Sequence, residues 1–151
     1  MTAGFTVRQA SVADVAALAP LFDAYRQFYG KAPDLATARR FLKERLGNGE
    51  SFAFIAEDAL GRAVGFTQLY PTFSSVSAAH VFILNDLYVA PEARRGQLAR
   101  RLLQAAATFS RTHGAVRMSL STAHTNAAAQ ALYASEGWVR DDQFQHFTLS
   151  L

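Results

Sequence analysis

The stretch "LYVAPEARRGQLARRLL", residues 87–103, decides the fold. Leu87, Tyr88 and Val89 read as the end of an apolar strand, and Pro91 stops it because proline cannot donate to a ladder. Leu98 and Leu102 then recur at helical spacing. Between strand and helix lies a turn carrying Arg94, Arg95, Gly96 and Gln97. The first turn of a helix leaves backbone N–H groups unpaired and carries partial positive charge. A bend that gathers those N–H groups accepts phosphate oxygens, and neighbouring arginines strengthen it. Ala99 is small enough for a ligand to approach the backbone. The same residues also fit a solvated basic turn with an arginine-rich outer helix face, and a short motif alone does not choose between the two.

Composition narrows the choice. A chain of 151 residues, half of them hydrophobic and 18% charged, suits one domain with a proper core. No apolar run reaches membrane-spanning length, and the amino end lacks the layout of a secretory signal, so a cytoplasmic protein is expected. Without cysteine there is no disulfide, thiolate ligand or cysteine nucleophile. His80, His124 and His146 show no metal-ligand spacing, so no metal is expected. The net charge of +3, carried mostly by arginine, allows an anionic ligand. It lacks the aromatic–basic interleaving of many nucleic-acid modules, and neither nucleic acid nor membrane is expected as a partner.

Reading outward, "FTVRQA" alternates as a first strand. Ser11 and Asp14 have capping-box spacing before a helix bearing Val15, Leu18, Leu21, Phe22 and Tyr25, which Gly30 ends. Asp34 caps a second helix carrying Leu35, Ala38, Phe41, Leu42 and Leu46. "SFAFIAED" and "RAVGFTQLYP" form a hairpin, the polar loop "TFSSVSA" follows, and "HVFILNDLYV" is a long strand. After the arginine turn and its helix, "AVRMSLST" reads as a strand, Thr125 caps the helix "NAAAQALYASEG", and "WV" with "FQHFTLSL" supplies final strands. The order β-α-α-β-β-β-α-β-α-β-β describes one mixed α/β domain over residues 1–151, without linker or repeat.

These features together resemble the GNAT superfamily of N-acetyltransferases. Its signature is Arg or Gln, two residues, Gly, one residue, then Gly or Ala; Arg94 and Ala99 match its ends, whereas Gln97 occupies the middle glycine position. "TNAAAQALYASEGW" is similar to its second signature, and "QLYPTFSSVSAAHVFILNDLYV" resembles the branch with diamine and histone-type acetyltransferases. The resemblance implies a mostly antiparallel central sheet whose central strands splay apart, flanked by helices. It implies acetyl-coenzyme A as cosubstrate, its pyrophosphate held at Arg94, Arg95, Gly96, Gln97, Leu98 and Ala99. Its pantetheine arm would pair with the strand edge at Leu87, Tyr88 and Val89. Asn126 would hydrogen-bond the cosubstrate, and Tyr133, two turns along the same helix, would protonate the departing thiolate.

Direct transfer to an amine also needs a proton acceptor. Related diamine enzymes carry a glutamate where Asn85 stands, and an amide is not a base. Asp86 is the nearest carboxylate. Strand alternation sends Asn85 and Asp86 to opposite faces unless a bulge intervenes, and ordered water is the alternative proton acceptor. The acceptor pocket is expected from Tyr25, Phe28, Tyr29, Tyr70, Phe73, Ser74 and Ser75, with Asp23 or Asp34 adding charge attraction for an ammonium. Aromatics at helical spacing also suit a core. The expected activity is acetylation of a primary amine, a small amine or polyamine first, with protein lysine, amino acid and aminoglycoside acceptors as alternatives. A non-catalytic acyl-coenzyme A sensor is a separate class, and a homodimer is expected by analogy.

Overall fold

The computed structural model describes residues 4–94 and 97–151. The chain divides into two compact units, one running through Ser121 and the other from Thr122 to Leu151. In the first unit, strand β1 (Thr6–Gln9) leads through a 3₁₀ turn at Val12–Asp14 into helix α1 (Val15–Phe28). The Ser11 side chain and Asp14 form the expected reciprocal box. Arg8 locks that corner by bonding Asp14 at 2.7 Å and Glu57 at 2.8 Å. Helix α2 (Leu35–Gly47) starts at Asp34, whose side chain accepts from the Thr37 N–H. Gly30 turns the chain out of α1 with φ of 88°.

Strands β2 (Phe52–Glu57), β3 (Ala63–Ser74), β4 (Ala79–Val89) and β5 (Met118–Ser119) follow, with a 3₁₀ turn at Pro91–Ala93 and helix α3 (Leu98–Thr112) between the last two. The sheet order is β1-β2-β3-β4-β5. The first three pairings are antiparallel and β4–β5 is parallel. This is the mostly antiparallel α/β sheet that the motifs imply.

Strand alternation divides the core between the two faces of the sheet. Ala53, Ile55 and Phe66 join Leu18, Phe22, Ala38 and Leu42 of α1 and α2 in one cluster. On the other face, Phe52, Phe54 and Phe82 meet Phe109 of α3, with ring centroids 5.0, 5.5 and 5.7 Å away. Each fully buried leucine or phenylalanine contributes about 1.5–3 kcal/mol. These two layers hold β3 and β4, the strands that carry the polar residues considered below.

Several expectations shift. Strand β3 runs on through Ser74, so Thr72, Phe73 and Ser74 belong to the ladder and not to a polar loop; Phe73 and Ser74 pair with His80 and Ala79. Only Met118 and Ser119 of "AVRMSLST" form strand. In the second unit, helix α4 (Ala127–Ser135) is capped by Asn126, not Thr125: the Asn126 side chain accepts from the Ala129 N–H. The stretches "WV" and "FQHFTLSL" form no strand, and Phe144, Phe147, Leu149 and Leu151 are exposed. Alternation states which side chains would share a face, but a strand exists only when a neighbouring ladder receives it.

Gly65 of β3 lies close against both β4 and α3. A Cβ there would stand 3.1 Å from the Tyr88 carbonyl oxygen and 3.5 Å from Leu102 Cδ1. We expect Gly65→Val to cost about 1–3 kcal/mol through overpacking, read as a lower denaturation midpoint. An unchanged midpoint would mean that β4 and α3 yield at no cost.

Candidate active site

A bulge brings together what alternation would separate. Gln68 faces Asp86 across β3–β4, yet Leu69 faces Leu84, so Asn85 is an extra residue on β4. Asn85 Nδ2 consequently donates to Asp86 Oδ1 at 3.0 Å. Gln68 Nε2 donates to Asp86 Oδ2, and Thr67 Oγ1 donates to the Asp86 carbonyl at 2.8 Å. Asp86 is only 2% exposed and Gln68 is fully buried. The Tyr25 hydroxyl, from α1, donates to the Asn85 carbonyl at 3.0 Å. The same hydroxyl stands near enough to the Asp86 carboxylate to lower its proton affinity.

The electrostatics follow from that enclosure. Burial pushes the Asp86 carboxyl above its ordinary value, while the hydrogen bonds from Gln68, Asn85 and Tyr25 pull it back in part. Burial, and then the Asp86 charge, raise the phenols of Tyr25 and Tyr70 well beyond the usual range. A carboxylate of raised proton affinity beside half-buried phenols is suited to receive a proton. Aromatic faces continue from the cluster: the Tyr25 ring lies 6.4 Å from Tyr88 and 5.1 Å from Tyr29, and Tyr29 lies 5.2 Å from Phe28. Phe28 and Tyr29 are exposed.

Beyond the bulge β4 leaves its parallel neighbour. Pairing with β5 involves Phe82 and Ile83. The Ala90 N–H bonds the Val64 carbonyl at 2.8 Å, on the β3 side. Antiparallel hydrogen bonding alternates along a strand, so the main-chain groups of Leu87 and Val89 turn away from β3. Among the described residues the β4–β5 ladder therefore ends at Ile83, and Leu87 and Val89 have no strand partner on that side. Arg94 reaches back over this edge: its Nε donates to the Val89 carbonyl at 2.8 Å and its guanidinium lies 5.7 Å from the Tyr88 ring centre.

Gln97 enters α3 in the left-handed region, with φ of 63° and ψ of 17°. That conformation before a helix turns successive N–H groups toward one point, the geometry of an anion-binding nest. A side chain there costs about 1–2 kcal/mol, which a glycine would avoid. Gln97, at the middle glycine position of the signature, thus holds a conformation that glycine adopts more readily. Its side chain accepts from Arg100 Nε at 3.1 Å. Leu98 is buried in the core, so only its backbone faces the turn, and Ala99 is half-buried. Arg95 and Gly96 lie outside the described residues.

Other expected site residues sit elsewhere. Phe73 stacks near His80 with centroids 4.8 Å apart, and Ser74 Oγ accepts from the Ser77 N–H in the turn that contains Ser75. Phe73 stands five positions along β3 from Gln68, roughly 17 Å at about 3.4 Å per residue, so these three do not join the Asp86 cluster. Asp23 is buried but accepts from the Asp34 N–H at 2.9 Å and from Gln27, fastening α1 to α2. Asp34 spends its oxygens on Thr37. In the second unit, Asn126 caps α4 and the half-buried Tyr133 ring lies 6.0 Å from that of Trp138. Sequence reasoning missed Gln68 and Thr67. The signal was an uncharged polar pair inside an otherwise apolar strand, "GFTQLY".

The acetyltransferase (GNAT) family model matches residues 18–138. Uncharacterized N-acetyltransferase YhfO of Bacillus subtilis (strain 168) is 49% identical over 145 residues, covering 96% of this chain and 97% of that protein. A probable acetyltransferase of Haemophilus influenzae is 33% identical, covering 91% and 92%. The crystal structure of a probable acetyltransferase shares 44% identity and superposes with a TM-score of 0.91 over 97% of both chains.

The raised proton affinity of Asp86 has a consequence for stability. The folded state holds that proton more readily than the unfolded chain, so this group favours folding at low pH. The advantage disappears as pH rises from the ordinary value of 3.8 through the raised native value. Asp86→Asn carries no such penalty. Its melting temperature relative to the parent is expected to climb as pH goes from about 4 toward neutrality. A difference independent of pH would show that Asp86 is not held protonated by the fold.

Proposed function

Because the chain belongs to the GNAT acetyltransferase family, we propose that it transfers an acetyl group from acetyl-coenzyme A directly to a primary amine, with small amines and polyamines as the first acceptor class. The observation that carries this reading is a buried carboxylate of raised proton affinity on the same strand as an open edge, two elements that serve direct transfer. The family match runs across the Ser121–Thr122 boundary, which supports treating residues 1–151 as one acetyltransferase-like domain.

The residues present fit the cosubstrate. An open edge at Leu87–Val89 suits an amide-rich arm, because unpaired strand groups take such a partner as an added strand. The left-handed turn at Gln97 and the start of α3 suit diphosphate oxygens, with Arg94 adding charge. Bound there, acetyl-coenzyme A supplies an acyl carbon already activated as a thioester. The protein's part is to orient, polarise and move protons. A main-chain N–H group of Leu87 or Val89 polarises the carbonyl. Asp86 receives the proton that the ammonium must lose before its nitrogen attacks. Tyr133 holds a phenolic proton for the sulfur that leaves. Tyr25, Tyr29, Phe28 and Tyr70 present aromatic faces to the incoming cation.

A non-catalytic acyl-coenzyme A-binding role draws on one feature, the near-complete enclosure of Asp86. Titration with acetyl-coenzyme A, followed by free-thiol release with putrescine, spermidine, benzylamine, a blocked lysine and kanamycin, separates the two. Amine-stimulated release is expected. Binding without it would favour the sensor.

Tyr133→Phe is expected to leave acetyl-coenzyme A affinity intact and lower kcat about 100-fold, the scale of a lost general acid. Full kcat under rate-limiting transfer would remove the acid role. Arg94→Ala is expected to weaken coenzyme A about 10-fold more than pantetheine, as loss of a phosphate contact would. Equal weakening of both would sink phosphate recognition by Arg94.

A further inference from the structure

The base assigned to this reaction is almost sealed from solvent. Asp86 is 2% exposed, and both of its carboxylate oxygens already accept a side-chain hydrogen bond, Oδ1 from Asn85 and Oδ2 from Gln68. An ammonium on an acceptor molecule cannot press against such a group without opening the sheet face. Each carboxylate oxygen nevertheless has two lone-pair sites, so one further hydrogen bond can be taken from within the fold. The group placed to make it is the Tyr25 hydroxyl, which comes off α1 onto the bulge and donates to the Asn85 carbonyl at 3.0 Å.

Resting on the reading of Asp86 as base, we infer that Tyr25 is a catalytic residue that relays the acceptor's proton: the amine's N–H proton passes to Tyr25 Oη while the Tyr25 hydroxyl proton passes to an Asp86 oxygen. One N–H and one O–H bond break, and two O–H bonds form. The nitrogen keeps the electron pair with which it attacks, Tyr25 ends as the phenol it began as, and Asp86 carries the proton until the reverse path returns it to water. Tyr25 is half-buried, so the residue is held by its neighbours and still open in part to an acceptor. Phe22, Phe66, Tyr29 and Tyr88 surround the ring and hold its orientation. The hydroxyl is a free rotor, and turning from the Asn85 carbonyl to the adjacent carboxylate needs no motion of the ring.

Two further observations agree. Burial disfavours the phenolate of Tyr25, which favours coupled transfer over a discrete phenolate. The bulge also acquires a purpose. The extra residue supplies the carbonyl that parks the hydroxyl beside the carboxylate, and its side chain steadies that carboxylate.

The test uses the full chain and the panel amine with the highest kcat/KM, under conditions where transfer limits that ratio. Tyr25→Phe keeps the ring and removes the relay. It is expected to lower kcat/KM for the amine about 100-fold, with acetyl-coenzyme A affinity and melting temperature unchanged. For the unaltered enzyme, kcat/KM should bow downward against the deuterium fraction of the solvent, because two protons move together. An inactive Asp86→Asn with a fully active Tyr25→Phe would overturn the relay and leave Asp86 as base. Full activity in both would remove the base itself. A straight deuterium dependence in the unaltered enzyme would overturn the relay whether or not the variants fold.

Discussion

The fourth strand serves two ladders over only part of its length, and the proposed chemistry depends on where the second one stops. Up to Ile83 it bonds β3 on one side and β5 on the other. Beyond that point it keeps β3 but adds a residue, Asn85, and the parallel neighbour is gone. Water would ordinarily satisfy the freed main-chain groups of Leu87 and Val89, and an edge of that kind costs little only while solvent or a ligand reaches it. The bulge on one side and the open edge on the other thus place polar demand on six residues of an otherwise apolar strand.

Asp86 meets that demand with no ion pair among the described residues. Its hydrogen bonds come from the neutral amides of Gln68 and Asn85, with the Tyr25 phenol beside them. An arginine partner would hold the carboxylate ionised and lower its proton affinity; amide donors stabilise the charge less and leave burial dominant. In the proposed role the cluster trades stability for reactivity. Gln68 Oε1 is itself buried without a partner, a further sign that the face is arranged for something other than maximal stability.

Much of this was legible in the residues. Helix starts were readable because capping is local chemistry: Ser11 with Asp14, and Asp34 with Thr37, act within three positions of themselves. The hairpin and the long strand were readable from alternation. The bulge was not, since nothing in "ILNDLYV" says which of its residues will be skipped by partners 15 to 18 positions earlier. Gln68 escaped notice for the same reason, as its significance lies in the residue opposite. The final strands were misread because "FQHFTLSL" specifies a face but no neighbour. Asn126 and Thr125 differ by one residue, and both can cap; only backbone geometry chose.

Arg94 carries one more implication. Its Nε already bonds the Val89 carbonyl, and a guanidinium carries five N–H donors, so those on its terminal nitrogens can meet a phosphate while that anchor holds. The side chain is thus partly ordered before any anion arrives, which lowers the entropy lost on binding. In the proposed transfer, a pre-set arm of this kind favours rapid capture of each new carrier.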